Sequence, residues 1–368
     1  MRIRRAFPIA LTVVIVAAAV TLTVQLRKHA PPEPARLLPG ADAFLYANFG
    51  WVRKVNDKPL PPVFHDAEYE QFIQDTGFDF ERDLDAVAFA VHYPANWPGG
   101  GTGGSEPEPR FSEVFIGKFD GQRLGAYLKH AAQSVENYNS VDIYTIPVQG
   151  RPFRVAILSV DSVAASNHND PAVIRGMVDR SRRLASPFGG PALLRRYYKR
   201  VQLASPAWVV AHVDPSSPEF GGWRSFLSHP ADVVISASYN PFHLPLRAGA
   251  LHVRAEAWAG SNEDARNITD KMNVFLDMFH SAEVSVGSPG TDADVKALFD
   301  SLQVRQEDSH AVLLATLPTS VFGKLVRAQG GLDLGPAGQT PSGDGPRGNA
   351  APTKTPSAIP SSKPPKKH

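Results

Sequence analysis

The sequence predicts an α+β fold: an N-terminal transmembrane helix, then two related, mostly antiparallel sheet-plus-helix halves, then a disordered tail. Three observations predict it. An uncharged apolar run fills residues 6–26, short alternating strands outnumber helices that could cross between parallel strands, and the chain beyond Ala328 is rich in glycine and proline. We expect helices to pack on one face of the sheets. The predicted divisions are 1–5 (basic cytoplasmic end), 6–26 (anchor), 27–40 (proline-rich spacer), 41–200 and 201–329 (the two halves) and 330–368 (tail).

The apolar run at 6–26 has the length of a helix that spans a bilayer, about 20 residues. Arg2, Arg4 and Arg5 precede it and favour a cytoplasmic N-terminus, which places the main domain outside the cytoplasm. The alternative is a signal peptide cleaved near Ala19, followed by secretion. The run is longer than a usual signal core, so we favour the uncleaved, single-pass anchor.

The first half is predicted from strand alternation and helix caps. Asp66 begins a helix that reaches Asp75, Asp120 caps a second helix, and Asp170-Pro171 opens a third that ends at Arg183. Strands with period-two alternation or strong apolar content are predicted at 41–48, 86–93, 111–119, 141–147, 153–159 and 162–167.

The second half repeats this plan of strand, short helix, strand, strand and helix. A short helix at Gly222-Trp223 corresponds to Gly50-Trp51 of the first half, and Ser261 with Asp264 forms a capping box for a long helix. A further helix follows Thr291 and a last one ends near Ala328. Strands are predicted at 207–213, 232–238, 251–257, 303–308 and 311–317.

Composition excludes several classes of function. The 368 residues include no cysteine, which excludes disulfides, thiolate metal sites and a cysteine nucleophile. The net charge of +2 gives no reason to expect a nucleic-acid partner. The tail 330–368 has too few apolar residues to fold on its own, and Lys354, Lys363, Lys366 and Lys367 make it basic.

Motifs for catalysis or cofactor binding are weak. Gly99–Gly104 (GGGTGG) matches a dinucleotide fingerprint, but the prolines after it cannot open the required helix, so we interpret it as a loop. His65 and Glu68 have a metal-ligand spacing without a third ligand. An acidic group is interpreted as a turn rather than as a cation site, because it lacks the spacing of a calcium loop: Asp79, Glu81, Asp83 and Asp85. We expect no cofactor.

The most uneven feature of the sequence is a basic stretch between residues 175 and 200. A solvated helix face explains it most simply, since charge runs on helices are usually solvated. The functional alternative is a patch that binds anionic lipid or an acidic envelope polymer. Its residues are Arg175, Arg180, Arg182, Arg183, Arg195, Arg196, Lys199 and Arg200.

Three segments carry a resemblance to a known group of bacterial proteins. They are Leu38–Ala43 (LPGADA), Phe78–Leu84 (FDFERDL) and Phe115–Asp120 (FIGKFD). In these the chain resembles uncharacterised single-anchor proteins whose outer region is a duplicated α+β domain of unknown function. The resemblance spans about residues 37–328. It implies this architecture and brings no catalytic residues.

These observations favour a non-enzymatic binding or structural module of the envelope. A second hypothesis is an envelope hydrolase with dispersed catalytic residues, which would require a pocket containing a carboxyl or imidazole of perturbed pKa. A third is a tether that reaches an anionic wall polymer through the basic tail.

Overall fold

The computed structural model describes residues 31–55, 66–93, 110–182, 190–240, 250–286 and 293–318. All of them belong to one compact unit, Met1–Gly330, and the second unit, Gly331–His368, lies outside the described residues. The predicted anchor, the last predicted helix and the loop at 99–104 also lie outside them. Within the described ranges, no helix has both the length and the apolar character that crossing a membrane requires.

Twelve strands of the described residues form one sheet, and every neighbouring pair is antiparallel. The order across it is β11-β12-β10-β9-β8-β1-β2-β3-β7-β6-β5-β4. The strands are β1 (Ala43–Asn48), β2 (Leu84–His92), β3 (Arg110–Gly117), β4 (Ser134–Tyr138), β5 (Val141–Val148), β6 (Arg151–Ile157), β7 (Ser162–Ser166), β8 (Ala207–Val213), β9 (Ala231–Asn240), β10 (Ala250–Trp258), β11 (Gln303–Glu307) and β12 (His310–Pro318).

The helices connect these strands and cover both sides of the sheet. Two 3₁₀ helices are named η1 and η2. In chain order the helices are α1 (Glu33–Leu37), α2 (Phe49–Val55), α3 (Ala67–Thr76), α4 (Phe80–Asp83), α5 (Gly121–Ala131), α6 (Ala172–Arg182), α7 (Ala192–Tyr197), η1 (Tyr198–Arg200), η2 (Pro218–Ser225), α8 (Asn262–Val286) and α9 (Ala293–Asp300).

Strand β1 joins the two halves of the chain into this single sheet. Phe44 lies opposite Ala90 of β2 on one side and Val210 of β8 on the other. Because side chains alternate along each strand, this register places Phe44, Ala90 and Val210 on one face and Ala43 on the other. All four are buried, so both faces of the sheet are covered at its centre.

Each face of the sheet has its own helical layer. On the first, here called the α1 face, Leu37 of α1, Met177 of α6 and Leu194 of α7 pack with the strands. On the opposite face, the α8 face, Leu124 of α5 and Ile268 of α8 do so. The predicted α+β class with antiparallel strands is confirmed. The expectation of helices on one face only is wrong, because the central strands are apolar on both faces.

Local sequence explains most boundaries. The predicted cap residue Asp120 accepts hydrogen bonds from the backbone N–H groups of Gln122 (3.0 Å) and Arg123 (3.1 Å). Asp66 does the same for Tyr69 (2.7 Å). Strand β4 was not predicted, since it is a short edge strand whose side chains are mostly exposed. The described part of the expected spacer contains α1, whose Leu37 is buried.

Candidate functional site: an apolar cavity beneath helix α8

Helix α8 is the longest helix in the described residues, and its start is fixed by the predicted capping box. The backbone N–H of Asp264 donates to Ser261 Oγ (3.1 Å), and Ser261 Oγ donates to the Asp264 carboxylate (2.8 Å). The hydrogen bond that Ser261 Oγ donates is the largest cause of the lowered pKa of Asp264, and a hydrogen bond from His229 lowers it further. Ala265 and Ile268 are buried against the sheet one turn later. The helix is therefore held firmly over the sheet at its N-terminal end.

An apolar cavity of about 270 Å³ lies between α8, η2 and the α8 face of the sheet. Its lining residue Glu256 points its carboxylate to the other face, where it accepts from Arg254 Nε (2.6 Å) and Trp258 Nε1 (3.0 Å). All the other lining residues are apolar: Trp223, Phe226, Leu227, Val233, Ile235, Ala255, Ala257, Ile268, Met272, Ala311 and Leu313. Among the residues that the structure describes, the cavity lining thus offers no charged or hydroxyl group to a ligand.

Small side chains on the sheet create this space. Ala257 of β10 lies directly opposite Ala311 of β12, and Ala255 of β10 lies next to Ile235 of β9. Each alanine presents only a methyl group, so the sheet fills little of the volume beneath α8, although Ile268 of α8 and Ala311 belong to one packed cluster. An unfilled apolar volume costs stability, since the lining atoms lose packing partners.

The same face beneath α5 is packed with aromatic rings instead. Phe78 is 2% exposed and stacks on Phe119 with the ring centroids 4.5 Å apart. Phe72 makes an edge contact with Tyr127 of α5 at 5.4 Å. The two helix-covered regions of this face therefore differ in the volume of their side chains, and the open volume is at α8.

An outer groove of about 530 Å³ adjoins the cavity. Phe226 lines both spaces, and its ring meets Phe275 edge-on at 5.5 Å, so Phe226 forms the wall between cavity and groove. Val274 and Met278 on the groove side are 67% and 63% exposed. Lys271, at the groove edge, donates to Ser228 Oγ (2.9 Å).

A hydrogen-bonded cluster on the α1 face bears on the hydrolase hypothesis. His92 Nε2 lies 3.4 Å from Ser112 Oγ, which lies 3.0 Å from Ser166 Oγ. Burial lowers the pKa of His92 to about 4. Ser112 is completely buried, so no substrate reaches its hydroxyl in this arrangement. The cluster links three neighbouring strands and has the geometry of a structural network.

A second perturbed group is Glu113 on the α8 face. Burial among apolar neighbours raises the pKa of Glu113 to about 7. It lies in register between Phe89 of β2 and Ala165 of β7, away from the residues that line the cavity. Neither perturbed group therefore belongs to the pocket that a catalytic site requires. Within the described ranges, no cluster of three or more carboxylates and imidazoles could hold a metal ion.

The arginines of α6, from the predicted basic patch, contact the protein itself. Arg175 donates two hydrogen bonds to the Glu136 carboxylate, each 2.9 Å long. Arg180 Nε donates to the carbonyl of Leu37 (2.7 Å). Arg182 donates to the carbonyls of the turn at 139–140. Arg183 lies outside the described residues.

The cations of α7 and η1 are placed differently. Arg195, Arg196, Lys199 and Arg200 are all exposed. The structure therefore divides the predicted patch into a part that is bound internally and a part that faces solvent.

The acidic group and the metal-spaced pair are also located. Asp79 caps α4, Asp83 receives hydrogen bonds from Arg82, and Asp85 of β2 pairs with Arg53 at 2.6 Å. The predicted acidic turn is therefore a one-turn helix followed by the start of a strand. Glu68 is exposed in the first turn of α3, and His65 lies outside the described residues. The cavity was not predicted, because alanines in alternating strands give no signal that distinguishes a void from a packed core.

Comparisons with known proteins add little to this geometry. No family model matches the sequence, and no curated protein matches it either. Crystal form III of a protein called TP0453 is 9% identical, covering 81% of this chain and 99% of that chain, with a TM-score of 0.44. Crystal form IV of TP0453 is 10% identical, covering 80% and 96%, with a TM-score of 0.40. At these values the likeness carries no argument about function.

Proposed function

We propose that this chain is a membrane-anchored, extracytoplasmic binding module whose ligand is an apolar, lipid-like molecule held in the cavity beneath α8. The observation that carries the proposal is the apolar character of the described side chains that face the cavity. Ligand pockets are mostly apolar, with a few polar groups that fix orientation. Among the described residues, the polar lining groups are at the groove: Ser225, Asp270 and Lys271.

The volume supports a small apolar ligand or part of a longer one. An apolar cavity of about 150 Å³ holds benzene, and this cavity has about 270 Å³. A longer alkyl chain would extend past Phe226 into the groove, where Val274 and Met278 offer exposed apolar surface. A polar head would then lie beside Lys271.

Anchoring rests on the uncharged run at 6–26 and the arginines before it. In this proposal the ligand site lies outside the cytoplasm, and the chain before α1 connects it to the anchor. An anchored module that takes up apolar molecules fits the sequence-based expectation of a non-enzymatic envelope protein.

We also infer that the two halves are related as a repeat. The first half runs β1-α2-α3-α4-β2-β3-α5 and the second runs β8-η2-β9-β10-α8, so the two share the plan of strand, helical connection, two strands and helix, with α3 and α4 added in the first. In each half the last strand lies beside the third strand of that half, β7 beside β3 and β12 beside β10. In this interpretation the aromatic cluster beneath α5 and the cavity beneath α8 occupy equivalent positions, one filled and one open.

The proposal is tested by filling the cavity. We expect the full chain in detergent or nanodiscs to bind a fluorescent long-chain fatty acid, and Ala257→Leu combined with Ala311→Leu to weaken that binding more than tenfold. Ala207→Leu is the matched control, since Ala207 is an exposed alanine of β8. Equal binding by the filled variant, provided that it is folded by circular dichroism, would refute the proposal.

A further inference from the structure

Four exposed cations lie together on α7 and η1: Arg195, Arg196, Lys199 and Arg200. This set is called the α7 surface below. Among the residues that the structure describes, no carboxylate forms an ion pair with any of them. That distinguishes them from Arg175 of the same basic stretch, which is paired with Glu136.

Two of these cations are held by aromatic rings. The Arg200 guanidinium lies 4.3 Å from the ring centroid of Trp258, and that of Arg196 lies 5.1 Å from the ring centroid of Tyr197. Trp258 is itself fixed, because it stacks on His310 with the centroids 3.9 Å apart. A guanidinium that lies over a ring keeps its N–H donors available at the edge, so these groups are pre-organised for an anionic partner.

The α7 surface is close to the point where the chain would enter the membrane. Gly190, just before α7, lies against Arg36 of α1, since a Cβ placed on it would be 3.4 Å from the Arg36 Cα. Residues 27–32 connect the predicted anchor to α1 and span at most about 20 Å. From residue 192 to Arg200 the chain advances only about 15 Å. The α7 surface is therefore within reach of the headgroups.

We propose that the α7 surface binds the anionic lipid headgroups of the membrane that holds the anchor, and so fixes the orientation of the domain. This inference rests on the anchored state in the proposed function. A Lys or Arg near an anionic surface favours binding about fivefold. The cavity is on the opposite face of the sheet, so docking through the α1 face leaves the α8 face uncovered by the membrane.

The test uses the full chain reconstituted in vesicles. The sequence has no cysteine, so a fluorophore on Ala192→Cys, beside the α7 surface, is unique. Quenching by a lipid-borne nitroxide reports its distance from the bilayer. We expect stronger quenching in vesicles with phosphatidylglycerol than in phosphatidylcholine alone, and loss of the difference in 1 M salt.

Charge-neutral variants locate the effect. Replacing Arg195, Arg196 and Lys199 by Gln should reduce the docked-to-undocked ratio about 100-fold. The control replaces three other exposed lysines by Gln, with the same change in net charge: Lys54, Lys118 and Lys129. It should leave quenching unchanged.

Other outcomes overturn the inference in distinguishable ways. If quenching is the same in both vesicles, or falls equally in both triple variants, the α7 surface does not bind lipid. If the label responds to soluble polyglycerol phosphate and not to phosphatidylglycerol vesicles, its partner is a polymer. If the chain does not float with vesicles of either composition, the anchored state fails and the proposed function fails with it.

Discussion

Ala257 and Ala311 face each other on neighbouring strands, and neither side chain fills the space beneath helix α8. Ala311 is only 2% exposed, so the space is enclosed on the sheet side rather than open to solvent. The two small side chains leave the cavity open. A larger side chain should therefore affect stability differently at these positions than at a position in the packed core.

Filling the cavity should stabilise the unliganded protein. We expect Ala257→Leu to raise the free energy of unfolding by about 1 kcal/mol, since cavity-filling substitutions commonly gain this much. The matched substitution Ala164→Leu introduces the same volume at a completely buried position of the packed α1 face and should cost about 1–3 kcal/mol. Urea denaturation measures both. Destabilisation by Ala257→Leu as large as that by Ala164→Leu would show that the cavity is not an available volume.

Removing the wall between cavity and groove should speed ligand exchange. Phe226→Ala joins the two spaces, so we expect the dissociation rate of a bound fluorescent fatty acid to rise. Stopped-flow displacement measures the rate, and Phe226→Leu serves as a control that retains most of the wall. A dissociation rate that Phe226→Ala leaves unchanged would mean that the ligand does not pass this residue.

Burial of His92 should make stability fall at acid pH. Its pKa is lowered to about 4 from an unfolded value of 6.5, so the unfolded state binds the proton first. Stability is full above pH 6.5 and decreases as the pH falls to about 4, by about 3 kcal/mol. His92→Asn should remove this dependence in urea titrations at several pH values. If the variant keeps the same decrease of stability with falling pH, groups other than His92 cause that decrease.

Glu113 should act in the opposite direction. Burial raises its pKa to about 7 from 4.5, so the native state binds the proton first and stability decreases as the pH rises from 4.5 through 7. Because the side chain is half-buried, we expect Glu113→Gln to add about 2 kcal/mol at pH 8 and little at pH 4. Glu70→Gln, at an exposed position of α3, is the control for the loss of one charge. If Glu113→Gln raises the free energy of unfolding equally at pH 8 and pH 4, titration of Glu113 does not explain the gain.

The sequence by itself determined the local elements. Alternation at 251–257 located β10 (Ala250–Trp258), and the caps Asp120 and Ser261 located the starts of α5 and α8. These signals depend on residues a few positions apart, so they can be interpreted without the fold. The short, mostly polar strand β4 has no such signal and was missed.

Only the tertiary structure decided which side chains share a space and which cations are free. Ala257 and Ala311 come from strands that α8 and α9 separate in the chain, and the void between them and α8 depends on the summed volume of all three elements. Arg175 and Arg195 look alike in sequence. They differ because Glu136, from a distant strand, lies beside one and no acidic residue that the structure describes pairs with the other. The volume of the cavity and the pairing of each arginine both depend on residues from distant segments of the chain. Local sequence therefore predicts neither of them.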